Sequence, residues 1–168
     1  MTAPRLRRAP WPRPRPWPSR RKGIANWPVL ADGSSRVGAR PRVQWCHGAP
    51  GVITSLAGLG RREERRTQLL AAGGEFVWQV GPMAASAGLC HGTSGNGFAF
   101  LSLLERTGDE LWLERARSFA MHGLDQVTHW RESQGRGRYS LFTGDLGPAL
   151  LAAACLEVHA GFPGLDDL

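Results

Sequence analysis

The sequence is poor in cysteine and in long apolar runs, and its first 42 residues contain almost no acid. Its three cysteines are an odd number, and no disulfide framework is apparent from their spacing. No stretch approaches the roughly 18 apolar residues of a membrane span, and no apolar core follows the N-terminal arginines as it would in a secretory signal. These absences predict a cytoplasmic protein without a membrane span. In that compartment, cysteine–histidine pairs more often indicate metal binding or catalysis than disulfides.

The basic charge is confined to the N-terminal part of the chain. Residues 1–42 hold eleven of the 21 lysines and arginines and one of the 14 acidic residues, so they carry +10 and residues 43–168 carry −3. Residues 1–23 contain six prolines, which block helix formation and strand pairing, and we predict a disordered Pro/Arg-rich arm there. Tryptophans between the arginines leave binding of nucleic acid or an anionic membrane as an alternative. Composition alone is weak evidence, however, so a nucleic-acid partner is not expected.

A glycine-rich turn occurs three times in the remaining sequence. The copies, which align without gaps, are residues 45–51 (WCHGAPG), 89–95 (LCHGTSG) and 141–147 (LFTGDLG). Cysteine and histidine are adjacent in the first two copies, as Cys46–His47 and Cys90–His91, whereas the third copy has Phe142–Thr143. The sequence therefore contains an internal repeat with metal-ligand residues in two of its copies.

Apolar periodicity predicts a helix after each turn and a longer helix between turns. We expect a loop over 24–44, then a short helix from about Gly51 to Leu59. The next helix is expected to weaken or break at Gly73-Gly74 and to end at Gly81-Pro82. A third helix should end near Arg106, and the last should cover about 148–157.

The strongest helix is expected to open with Asp109 and Glu110, because acids in a first turn suit the positive end of the helix dipole. It has one apolar face with spacings of 3, 4, 4 and 3, formed by Leu113, Ala116, Ala120, Leu124 and Val127. Short helices that are apolar all round are buried, and one-faced helices lie outside them. Repeated pairs of this kind predict an all-α, two-layered array. Both Cys-His turns should then lie at one rim, because they occupy equivalent places in their repeats.

Cys46, His47, Cys90 and His91 are the candidate metal ligands. Thiolate and imidazole suit Zn²⁺, and a closed structural site would use all four, whereas a catalytic site would use three and leave one position for substrate. The residues alone leave both arrangements open. The alternative is that both cysteines are small buried apolar residues, but their duplication in register favours a metal. Cys155 lies in an apolar helical run and is expected in the core.

The two Cys-His-Gly turns, with the third turn after them, resemble those of the lanthionine synthetase C-like (LanC-like) family. The resemblance covers about Asn26 to Pro163, and it implies that residues 45–168 form the C-terminal part of a double-layered α/α toroid whose inner helices start at the GxxG turns. It also implies that the zinc ligands are Cys46, Cys90 and His91, with one position open. His47 is then implied as a catalytic residue that orients substrate or transfers a proton.

The function that the resemblance implies is zinc-dependent thioether formation. The thiol of cysteine or glutathione, held as a thiolate, adds to dehydroalanine or dehydrobutyrine in a peptide or protein, and a general acid protonates the resulting enolate. Family members are longer, so the N-terminal half of the toroid is expected to be missing, and the first short helix is expected to expose Val52, Ile53, Leu56 and Leu59. The alternative is a non-catalytic zinc-binding helical fragment or interaction module.

Overall fold

The computed structural model describes residues 23–28, 42–60 and 63–164. Within these ranges the regular secondary structure consists of five helices, which are α1 (Ala49–Leu56), α2 (Glu64–Val80), α3 (Thr93–Thr107), α4 (Leu111–Gln134) and α5 (Leu146–Glu157). The all-α prediction is confirmed. The predicted arm, apart from residue 23, and most of the predicted loop over 24–44 lie outside the described residues.

Helix α3 is the centre of the arrangement. Twelve of its 15 residues are buried, and it contacts each of the other four helices. Short apolar α1 and α5 pack on it as the other two inner helices. The longer α2 packs on α1 and α3, and α4 packs on α3 and α5. The five helices therefore form two layers, with three inner and two outer helices, as expected for part of an α/α toroid.

Aromatic side chains fill the space between the two layers. The ring of Phe100 on α3 lies 5.0 Å from that of Phe119 and 5.9 Å from that of Trp112, both on α4. The ring of Trp78 on α2 lies 6.2 Å from Phe100. At the outside of this cluster, Arg115 is 4.7 Å from the centre of the Trp112 ring. Such edge-to-face and offset pairs add to the stabilisation from apolar burial.

The outer helix α4 begins at Leu111, two residues after the predicted start, and buries the predicted face. Leu113, Ala116, Ala120 and Val127 are buried, and Leu124 is half-buried. Although α4 is the longest described helix, neither it nor any other helix in the described ranges combines the length and apolarity that crossing a membrane requires.

Helix α2 corrects one prediction, because it continues through Gly73 and Gly74 without a break. Both glycines are buried contact points, not weak points of the helix. A Cβ atom at Gly74 would lie 2.4 Å from the Leu103 side chain and 2.7 Å from the Trp112 ring. Close packing between the layers therefore requires glycine at this position. This requirement outweighs the low helix propensity of glycine. Gly81 ends the helix as predicted.

Helix α1 differs in part from its prediction. It begins at Ala49 and ends at Leu56, before the predicted end. Leu56 and Leu59 are exposed, at 37% and 56%, but Ile53 is fully buried. Ile53 faces α2, where its side chain lies 3.3 Å from the position that a Cβ atom on Gly73 would take. The expectation that Ile53 is exposed was wrong, because α2 covers that face of α1.

Candidate metal centre

Three backbone segments meet at the N-terminal ends of the inner helices. The N–H of Cys46 donates to the carbonyl of Cys90 at 3.1 Å, and the N–H of Cys90 donates to the carbonyl of Phe142 at 2.9 Å. These three residues occupy the same position in the three sequence repeats. The turns are therefore aligned side by side in register, and the side chains of equivalent residues are brought to one rim.

The first turn is fixed by a side chain distant in sequence. Asn26 accepts a hydrogen bond from the N–H of Ala49, at 2.8 Å, and donates one to the carbonyl of Arg42, at 3.1 Å. It thereby caps the start of α1 and ties the preceding segment to it. Gly48, between them, has φ of 120°, and a Cβ atom there would lie 2.3 Å from the Arg42 carbonyl oxygen. Only glycine fits this conformation and this space.

The second turn is wrapped around the start of α3. The N–H groups of Thr93 and Ser94 donate to the carbonyls of Ser86 and Ala87 at 3.0 and 3.1 Å. The Thr93 hydroxyl donates to Oε1 of Gln126 on α4 at 2.7 Å. These bonds satisfy N–H groups that a helix start otherwise leaves without partners, and they hold the loop that carries Cys90 and His91.

The third turn is anchored by a buried carboxylate. Asp145 is 7% exposed and accepts hydrogen bonds from the N–H of Arg138 at 3.1 Å and from Nε of Arg131 at 3.0 Å. Burial by itself raises the pKa of Asp145, but the Arg138 N–H and the two guanidinium charges outweigh it and hold the pKa below its usual range. The carboxylate therefore fixes the turn in its ionised form.

The rim brings three of the four candidate ligands together. One ligand atom each from Cys46, Cys90 and His91 lies within 4.8 Å of the other two, and no other such group of three occurs in the described ranges. Cys46 and His91 are exposed, and Cys90 is half-buried. The group is therefore open to solvent, although its backbone is held rigidly.

His47 lies beside this group. Its Nδ1 is 3.3 Å from the Sγ of Cys46. The backbone of His47 is paired with that of Gln44 through two hydrogen bonds of 3.0 Å. The turn therefore fixes the position of the His47 backbone, from which the imidazole extends. His47 is half-buried. It is placed to contact the sulfur of a neighbouring ligand, as residues around metal ligands commonly are.

The donor set fits a zinc ion. Two thiols and one imidazole are among the ligands that Zn²⁺ prefers, and three protein ligands are typical of sites that keep a position for substrate. Bond lengths of about 2.0–2.3 Å place tetrahedral ligand atoms about 3.3–3.8 Å apart, so small side-chain rotations suffice. Although Cys46 is exposed, partial desolvation of its thiol and then the neighbouring Cys90 thiol raise the pKa of Cys46 when no cation is present. A cation between the two sulfurs would offset this cost of ionisation.

The remaining cysteine and histidines lie apart from the group. Cys155 is 2% exposed within the core, where burial raises the pKa of its thiol to about 12. His122 is half-buried on α4, and burial lowers its pKa. His129 and His159 are exposed. The prediction that Cys155 belongs to the core is confirmed.

Sequence reasoning missed several residues that shape the rim. Asn26 caps α1 from a segment that carried only turn signals, and no local pattern shows this long-range role. Gln44 has its Oε1 3.9 Å from the Sγ of Cys46. Phe142 contributes its carbonyl to the backbone of Cys90. Its equivalence to both cysteines in the repeat alignment was the signal that could have identified it.

Comparison with known proteins identifies one family that the chain resembles. A family model described as "Lanthionine synthetase C-like protein" matches residues 16–161, a range that begins inside the predicted arm. The chain is 34% identical over 131 residues to "LanC-like protein GCL1" of Arabidopsis thaliana, covering 74% of this chain. It is 36% identical over 126 residues to "Glutathione S-transferase LANCL1" of Danio rerio, covering 72% of this chain. In both cases the match spans 30% of the relative's own length.

Proposed function

The chain belongs to the lanthionine synthetase C-like family, and we propose that Cys46, Cys90 and His91 hold one zinc ion at a site of thioether formation. The reaction is addition of a thiol to dehydroalanine or dehydrobutyrine in a peptide or protein. The observation that carries this proposal is the convergence of two thiols and one imidazole within 4.8 Å at the rim where the three turns meet.

Glutathione or a peptide cysteine is the proposed thiol. Glutathione is supported by the printed name of the zebrafish relative, a glutathione S-transferase. Exposure of Cys46 and His91 supports access of either thiol from solvent. Three free cysteines are compatible with a reducing compartment, so we propose a cytoplasmic location. We also retain, as proposals, an arm over 1–23, a connecting loop over 24–44 and the toroid portion over 45–168.

The chemistry requires an ionised thiol. When bound, zinc supplies a positive charge that keeps a coordinated thiol deprotonated. Cys46, Cys90 and His91 would hold that charge, and the backbone bonds between the turns keep these three residues in place. The part of the site open to solvent then receives the alkene of the dehydroamino acid.

His47 is the proposed catalytic residue of the chain itself. With Cys46 as a thiolate, Nδ1 of His47 must donate to the sulfur, because a thiolate only accepts. The neutral ring then has its Nε2 as an acceptor for the proton that the substrate thiol loses. As the new S–C bond forms at the β-carbon, the alkene π electrons move to the α-carbon. The α-carbon then takes the proton back from Nε2 of His47. The sum of thiol and alkene is the thioether, without further reactants.

The test is thiol addition by the purified chain. Zinc-loaded protein is incubated with glutathione and a peptide that contains dehydroalanine, and the adduct is quantified by mass spectrometry against a reaction without protein. Cys90→Ala should abolish the enzymatic part of the adduct, and Thr143→Ala, at an equivalent turn without metal ligands, should leave it unchanged. Zinc binding without adduct formation would instead support the non-catalytic zinc-binding module.

A further inference from the structure

Two aromatic residues lie at the rim outside the ligand group. Trp45, immediately before Cys46, is half-buried, and its indole stacks on the ring of Phe162 with centroids 4.6 Å apart and planes at 13°. Phe162 is fully buried and also contacts Phe98 of α3 at 5.3 Å. The position of the Trp45 indole is therefore fixed by its stacking on the core residue Phe162.

Phe142 completes the aromatic pair. Its ring centroid is 6.4 Å from that of Trp45, with planes tilted by 38°, yet the residue stays 39% exposed. Its backbone carbonyl accepts the hydrogen bond from the N–H of Cys90. Phe142 is thus fixed next to one candidate ligand and touches the neighbour of another.

The exposed part of the Phe142 ring does not contribute to packing within the protein. The residues around it in the turn, Ser140 and Thr143, are polar and exposed, as is usual for a solvated turn. An aromatic ring left in water forgoes the stabilisation that burial would give. Phe142 occupies the repeat position of the two cysteines, and its backbone is bonded to that of Cys90. Contact with a molecule bound at this rim would therefore recover that stabilisation.

We propose that Phe142, supported by Trp45, determines substrate specificity by receiving an apolar side chain next to the dehydroamino acid of the substrate peptide. This inference rests on the proposed function, since it assigns the peptide side of the same site. The ring of Phe142 offers a face and edge without a charged or hydrogen-bonding group, and the indole N–H of Trp45 is itself buried. The pair therefore favours leucine- or phenylalanine-like neighbours over glycine or charged ones.

Peptide binding, measured separately from turnover, tests this assignment. Two peptides differing only in leucine or glycine beside the dehydroalanine are titrated calorimetrically into zinc-loaded protein. Wild-type protein should bind the leucine peptide about tenfold more tightly, which is the lower end of what an added apolar contact gives in a pocket. Phe142→Ala should remove that preference while keeping the zinc content, and Phe142→Leu should restore most of it.

Leu156→Ala is the matched control, because Leu156 is 62% exposed on α5, near the end away from the turns. It should keep the preference in full. Equal binding of the two peptides by wild-type protein, or an undiminished preference in Phe142→Ala, would overturn the inference. A retained preference without any thiol addition would contradict the proposed function but not the role of Phe142, so the two failures are distinguishable.

Discussion

The backbone N–H of Cys46 donates to the carbonyl of Cys90 at 3.1 Å, although 44 positions separate the two residues in the sequence. The peptide planes that carry the two candidate thiolate ligands are therefore joined directly. Their side chains start from a fixed separation that does not depend on a metal. A site built this way is preorganised, because the backbone ordering is already complete when the ligand arrives.

His47→Asn should separate metal binding from catalysis. The imidazole contacts the Sγ of Cys46 but is not one of the three grouped ligands, so the variant should keep about one zinc per chain. Loss of a positioned acid–base group should slow thiol addition by about 10²–10⁴-fold. Zinc content and adduct formation are measured on the same preparation. A closed four-ligand site would instead lose the zinc.

The thiol of Cys155 should be unreactive in the folded protein. Burial raises its pKa to about 12, so at pH 8 only about one molecule in 10⁴ carries the reactive thiolate. In metal-free protein, iodoacetamide should modify the exposed Cys46 and leave Cys155 intact, as read by peptide mapping. Cys155 should react only after unfolding in denaturant. Labelling of both cysteines at similar rates in native protein would contradict the buried position.

Asp145 should make stability depend on acid pH. Its pKa is lower in the folded chain than in the unfolded one, so its contribution is complete above the unfolded value of about 3.9. The contribution is lost as the pH falls from there through the folded pKa. At pH 6, Asp145→Asn should cost about 1–3 kcal/mol, because a buried acceptor loses the charge that strengthens its hydrogen bonds with Arg138 and Arg131.

The measurement is the denaturant midpoint of both proteins between pH 6 and pH 3. The difference between wild type and Asp145→Asn should shrink toward acid pH. Comparing the two proteins cancels the titration of the other carboxyl groups. A difference that stays constant over this range would show that the ionised Asp145 does not stabilise the third turn.

Gly74→Ala should destabilise the packing between layers. The new methyl would meet Leu103 at 2.4 Å and the Trp112 ring at 2.7 Å, and such overpacking costs about 1–3 kcal/mol. Gly58→Ala is the control, because Gly58 is exposed and has no atom within 4 Å of the added Cβ. It should change stability by less than about 0.5 kcal/mol. The free energy of unfolding of both variants is measured by thermal or urea denaturation. Equal destabilisation by Gly74→Ala and Gly58→Ala would argue against close packing at Gly74.

The features visible in the sequence are those that repeat or alternate locally. The register of the glycine turns predicted that Cys46 and Cys90 share a rim, and the periodicity of α4 predicted its buried face. Gly73 and Gly74 were misread because their role depends on Leu103 and Trp112, which lie on other helices. Ile53 was misplaced for the same reason.

Long-range polar contacts were equally hidden from sequence patterns. Asn26 caps α1 across 23 residues, and Asp145 binds Arg131 across 14. Both side chains looked like ordinary turn residues, since Asn and Asp favour turns wherever they occur. Only the packed arrangement of turns shows which of them fix the candidate site.

Zinc stoichiometry in two cysteine variants tests the central claim most directly. Wild-type protein, purified without chelator, should carry about one zinc per chain, since three protein ligands form one site. Cys90→Ala should lose most of that zinc, and Cys155→Ala should keep all of it, because Cys155 is buried outside the group. Equal zinc loss in both variants, or full retention by Cys90→Ala, would contradict the assignment of the metal centre.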